Sequence, residues 1–303
     1  MAKKYNNEAY KELIPSIISD AFYVNGVSYD SKMHSIRRYT EIILRRLLKY
    51  PINKEIMIGN VKYKLERAGY TEQIFTDAVE TIRTGGNRGS HTRNLKAAGE
   101  EEYNNTLHAL FDIYGYLFFR FFKKYEFGSN PKIVTAFSIL PPIIRENALE
   151  QLYKEYPDNM LVIDKLMLAK IKAYDFETAE KWLDDNKETF QKYSLEFPKE
   201  EQEKLIERFG IDVASVIIDS HKGMTLYDEM LKRSMTLKDS KYVPLYTNFE
   251  EANSVYKEKG IVEGNGNDVV DFNDLMEFVY IGRREAEKQC SEDITDNPVL
   301  EAL

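Results

Sequence analysis

Arg83, Asn87 and His91 fall within a nine-residue stretch, Arg83-Thr84-Gly85-Gly86-Asn87-Arg88-Gly89-Ser90-His91, and their types could do chemistry together. An imidazole titrates near neutral pH and can take up or release a proton. A guanidinium carries permanent charge and a forked set of donors that suits a phosphate oxygen. An amide between them can orient the imidazole or hold an oxygen. The same residues admit a structural reading: they could brace a tight connection, with Asn87 satisfying backbone groups freed by the glycines. Three glycines in so short a span predict the end of a helix and a sharply turned polar segment.

Other chemistries find less in the sequence. Gly85, Gly86 and Gly89 are not followed by the Gly-Lys-Ser/Thr of a phosphate-binding loop. Glu263-Gly264-Asn265-Gly266-Asn267-Asp268 lacks the ligand order and central glycine of a calcium loop. His34, His108 and His221 have no partners at metal-ligand spacing, and Ser90 beside His91 reads as a small packing residue. Cys290 is the single cysteine, so neither an intrachain disulfide nor a thiolate cage can form within one chain. No cofactor or metal is expected. The N-terminal residues show no secretory pattern, and no apolar run approaches the roughly 20 residues of a membrane span, which together predict a cytoplasmic protein with no membrane partner.

The net charge of −8 conceals an asymmetry. Ser31 to Lys96 holds fourteen Lys or Arg against six Asp or Glu, a local excess of +8, which leaves −16 on the remainder. A basic patch on an acidic body can select polyanions, because potential acts within a Debye length of about 8 Å at physiological salt. Arg37, Arg38, Arg45 and Arg88 are the candidates to extend such a track beside Arg83.

The elements that would position these residues are helices. With 43% apolar and 30% charged residues the 303-residue chain is globular and long enough for one large or two ordinary domains. Helical spacing predicts a first helix over 7–21, bent or shortened by Pro15, then an Asn25-Gly26 turn that could join two short strands. Ile36, Tyr39, Ile43 and Leu47 give the stripe of a helix from Ser31 to Tyr50, stopped by Pro51. Helices over 61–67 and 71–83 lead into the glycine segment. From Tyr103 to Tyr125 runs a helix whose aromatics spread over more than one face, so packing is expected on two sides, from the C-terminal half or from a second copy of the chain.

Phe127-Gly128-Ser129-Asn130-Pro131 and Pro141-Pro142 mark the expected domain boundary. The organisation read from the sequence is a helix and turn over 1–30, a helical domain over 31–128, an acidic helical domain over 142–290 and an acidic tail over 291–303. Helices are expected over 144–156, 159–173, 177–193, 200–209, 213–222, 226–235, 249–258 and 271–288. The pair containing Ile163, Leu166 and Lys170, then Ala179 and Leu183, resembles one tetratricopeptide-type unit, but no second copy follows at the 34-residue period.

Taken in order, the helix with Arg37, Arg38 and Glu41, the Arg83…Gly86-Asn87…His91 segment and the aromatic helix resemble the HEPN superfamily of helical domains. The likeness covers about 31–127 and is closest to the branch marked by an Arg, a Gly-Asn and a His, found in or beside restriction and abortive-infection proteins. It implies a HEPN-like bundle, a homodimer formed through the aromatic helix and the motif, and a role in prokaryotic antiviral defence. In catalytic members it implies metal-independent endoribonuclease chemistry. Arg83 would contact phosphate, Asn87 would orient, and His91 would act as acid or base at a ribose hydroxyl or leaving oxygen. Arg83 and His91 are separated by seven residues, a wider spacing than ribonuclease members use. The resemblance therefore leaves two readings open: an RNA-binding and RNA-cleaving protein, or a non-catalytic dimerising interaction subunit of a defence or restriction complex, with the acidic C-terminal half recognising a partner protein.

Overall fold

A computed structural model describes residues 7–52, 54–88, 96–240 and 248–286, and among these every extended element is helical; the only strand-like pairing is one isolated bridge, Ser194 to Thr225. The mainly α fold is as expected, but the Asn25-Gly26 turn joins helices rather than strands, with Gly26 at φ +77°. The helices are α1 (Leu13–Phe22), α2 (Tyr29–Leu47), α3 (Lys62–Arg67), α4 (Gln73–Arg88), α5 (Glu100–Tyr125), α6 (Pro131–Phe137), α7 (Pro142–Glu155) and α8 (Met160–Ala173). They continue as α9 (Phe176–Asp185), α10 (Lys187–Phe190), α11 (Lys199–Phe209), α12 (Ile211–Ser220), α13 (Leu226–Asp239), α14 (Phe249–Lys259) and α15 (Asn267–Tyr280).

Local chemistry explains most boundaries. Pro15 sits in the first turn of α1, where its missing N–H costs nothing, and a 3-10 turn over Asn7–Tyr10 takes the place of the longer helix expected there. Ser28 caps α2 by accepting from the Ser31 N–H, and the Glu102 carboxylate accepts from the Gly99 N–H at 2.8 Å at the start of α5. The helix expected over 177–193 is two, α9 and α10, because Asn186 ends the first: its amide donates to the Trp182 carbonyl and its oxygen accepts from Tyr153. α15 starts four residues before its expected start and ends at Tyr280, since Gly282 at φ +77° turns the chain.

α5 is the centre of the packing. Seven consecutive residues, Ile113 to Phe119, are buried, so both faces of the helix are covered. One face meets α2 and α4: Phe75 stacks on Tyr116 at 4.4 Å, and Tyr39 meets Tyr114 edge-on. The other meets elements of the C-terminal half, where Phe118 contacts Phe137 of α6 and Phe272 of α15. Each such aromatic pair adds about 0.5–1.5 kcal/mol beyond its burial. Of the two sources expected for the second contact, the chain's own C-terminal half supplies it.

A single apolar cluster therefore runs from Tyr10 to Tyr280 across the segment expected to divide the chain, with Tyr39 of α2 stacked on Phe278 of α15. A second cluster joins α8, α9, α10 and α13 through Ile163, Met167, Leu183, Phe190 and Met230. At its border Lys170 is buried and ion-paired with Glu146 at 2.7 Å and with Glu150 at 3.0 Å.

Candidate functional site

The glycine pair was expected to break a helix, but α4 runs through Gly85, Gly86 and Asn87 to Arg88. Close packing, not backbone freedom, accounts for both residues. A Cβ on Gly85 would lie 2.6 Å from the Thr106 hydroxyl oxygen of α5 and 3.4 Å from the Met33 sulfur of α2. A Cβ on Gly86 would lie 2.6 Å from the Arg37 Cβ and 2.7 Å from its Cδ. The last turn of α4 is thus wedged between α2 and α5, and the missing side chain of Gly86 makes the slot through which the Arg37 stem crosses.

That crossing assembles the site. Arg37 passes over Gly86 and donates through Nη1 to the Asn87 side-chain oxygen, while its Nε faces Glu41 at 3.4 Å. Side-chain exposure of 20% for Arg37 and 25% for Glu41 makes this a partly shielded group. Asn87 therefore spends its oxygen on α2, and its amide nitrogen remains as a donor.

Arg83 lies one turn earlier on α4 and is bidentate to Glu80, with Nε to Oε2 at 2.7 Å and Nη2 on Oε1. The Arg83 bond holds the Glu80 carboxyl below its usual range, and Glu80 in turn raises the guanidinium. Both side chains are substantially exposed, so the pair is worth at most about 1 kcal/mol, and an incoming anion can compete for Arg83. Arg83 opens onto a cleft of about 710 Å³ between α4 and the Ile58–Arg67 segment. Lys62 shares that cleft, as do Glu66 and Asp77. With Glu80, its lining holds two cations and three carboxylates, so the cleft is not the cationic groove that the local charge excess predicts.

The remaining arginines are distributed around α2. Arg38 is exposed and lines a separate cleft of about 420 Å³ with His34, Asp20 and Asp30. Arg45 donates to the Lys54 carbonyl at 3.1 Å. The structure joins Arg37 to Asn87 and sets Arg83 one turn earlier on α4, where its guanidinium turns back to Glu80; it does not bring Arg38 or Arg45 into the Arg83 cleft. His91 and the side chain of Arg88 lie outside the described residues, as does Cys290. Among the described residues no group of histidine, cysteine or carboxylate side chains is placed to hold a metal ion. No helix there is long and apolar enough to cross a membrane.

Two participants escaped the sequence reading. Lys62 and Glu80 flank Arg83 in the cleft, and Glu80 had a detectable signal, since a carboxylate three residues before an arginine on a helix is placed to pair with it. The Arg37 bond to Asn87 spans fifty positions and has no local signature. No family model, curated protein or solved structure matches the chain.

Proposed function

We propose that the protein binds RNA at the end of the α2–α4 pair and serves prokaryotic antiviral defence, with His91 as the acid–base group of a metal-independent cleavage. The observation that supports this reading is the Arg37 bond to Asn87 on the last turn of α4, with the partly exposed Arg83 one turn earlier on the same helix, just before the segment bearing His91. Guanidinium groups suit the crowded phosphate of a transition state, and an imidazole suits proton transfer at the neighbouring sugar oxygen. The resemblance of this order of residues to the HEPN superfamily adds to it, and dimerisation of two such sites belongs to the same reading.

A second reading is a non-catalytic interaction subunit. It draws on the fact that Arg83 and Asn87 already have partners within the chain, so both also brace α4. Incubating the purified protein with total RNA in EDTA separates the two. The nuclease reading expects a cleavage ladder from the parent that His91→Ala abolishes; an intact RNA pool with both proteins refutes cleavage and leaves the subunit.

A further inference from the structure

A second cleft, of about 400 Å³, opens where α1, α5, the end of α8, the start of α14 and the turn after α15 meet. Its floor includes Arg283, which is only 7% exposed. The guanidinium carbon lies 4.0 Å from the Phe22 ring centre and 4.1 Å from that of Phe249. Its Nε and Nη2 are sealed from solvent with no acceptor in hydrogen-bond geometry, no ion pair among the described residues includes it, and the polar groups that act on its charge are the hydroxyls of Tyr114, Tyr23 and Tyr39. Glu250 lines the same cleft but accepts from the Tyr23 hydroxyl at 2.7 Å. Ring faces attract a cation, yet they do not replace the hydrogen bonds and counter-charge that a buried guanidinium loses on leaving water. Natural folds seldom leave such a group without an anion.

Lys172 of α8 lines the same cleft. Burial pushes its ammonium down to about 8, and the positive charges of Arg145 and Lys165 push the same way. A second cationic side chain thus stands on the wall of the cleft that Arg283 also lines. Phe22, Phe111 and Phe249 supply an apolar wall, and the volume falls in the range of small-molecule sites.

We propose that this cleft binds a small organic anion, with a phosphate or carboxylate head toward Arg283 and Lys172 and a planar apolar body against Phe22, Phe111 and Phe249. The site is separate from the α2–α4 surface and does not depend on the RNA reading. Calorimetric titration of the full chain with phenyl phosphate, benzoate and inorganic phosphate tests it. Saturable binding of phenyl phosphate or benzoate is expected, at least about tenfold tighter than inorganic phosphate. Tighter binding of phenyl phosphate marks a phosphate site and tighter binding of benzoate a carboxylate site. Lys172→Glu, on the more accessible wall, should weaken the preferred probe by about tenfold or more. Arg283→Gln should do the same if it folds, and Lys172→Glu carries the test if it does not.

The charged groups that line the cleft are Lys172, Arg283, which keeps its charge, and Glu250, which is held by Tyr23; Arg145 and Lys165 act on Lys172 from outside the lining. Affinity should accordingly decline between about pH 7 and about pH 9 as Lys172 loses its proton. Failure of every probe to saturate at millimolar concentration, equal affinity of parent and Lys172→Glu, or inorganic phosphate binding as tightly as the aromatic probes would each overturn the proposal.

Discussion

Replacing Gly86 by alanine sets two known effects against each other. Alanine gains about 1 kcal/mol over glycine from helix propensity alone, so at an open helical position the change stabilises. At Gly86 the new Cβ would stand 2.6 Å from the Arg37 Cβ, 2.7 Å from its Cδ and 3.2 Å from its Cγ. The Cδ can swing away, but the Cβ is fixed to the α2 backbone, so α2 and α4 must separate. Overpacking of this kind costs about 1–3 kcal/mol, and the contact with an anchored atom puts it toward the upper end. The net expectation is a loss of about 1–2 kcal/mol, together with weakening of the Arg37–Asn87 bond. Urea denaturation reads this as a lower midpoint at unchanged slope. Arg37→Ala removes Cγ and Cδ but keeps Cβ, so a double-mutant cycle should show coupling of about 1 kcal/mol with part of the Gly86→Ala cost remaining. A stabilising Gly86→Ala, or strict additivity with Arg37→Ala, would refute the wedge.

Two further substitutions probe the body of the fold. Lys170→Met strands the buried Glu146 carboxylate and should cost about 3–5 kcal/mol in denaturation near neutral pH. Asp112 donates nothing when ionised but accepts from Asn147 at 2.7 Å, and burial first, then Glu146, raises its carboxyl to about 6. Because the folded pKa lies above the unfolded value, its protonated form favours folding: that contribution is complete below about pH 4 and lost as pH rises through about 6. Asp112→Asn, which can still accept from Asn147, should match the parent near pH 4 and exceed it by about 1–2 kcal/mol above pH 7. Equal stability of the two proteins at both ends of a pH series of denaturation curves would contradict the raised pKa.

Amphipathic periodicity made α2 and α5 legible, because long helices with capped starts express their packing in their own residues. The double-sided aromatic surface of α5 even announced a second layer, although not that α6, α7 and α15 would form it. The glycines of α4 misled because Gly-Gly carries two meanings, a turn where nothing crowds the backbone and a close approach where neighbours do, and only the positions of Arg37 and Thr106 distinguish them. Gly282 shows the reverse case: it stands two residues after the end of α15, a stop signal that the helix expected over 271–288 runs past. Within the candidate site, Arg83 and Asn87 could be named from type and spacing. The Arg37 bond to Asn87 and the ring-covered Arg283 could not, since each arises from elements far apart in the chain.

The affinity of the protein for single-stranded RNA across a salt series is the decisive measurement. Arg83 is one-third exposed and held only by a surface pair with Glu80, so Arg83→Glu can reverse its charge without disturbing the core. Binding at the end of the α2–α4 pair should weaken steeply with salt, by about 0.7 in the log–log slope per phosphate neutralised, and Arg83→Glu should lower affinity and flatten that slope. An RNA affinity absent even at low salt, or one indifferent both to salt and to Arg83→Glu, would contradict RNA binding at this surface.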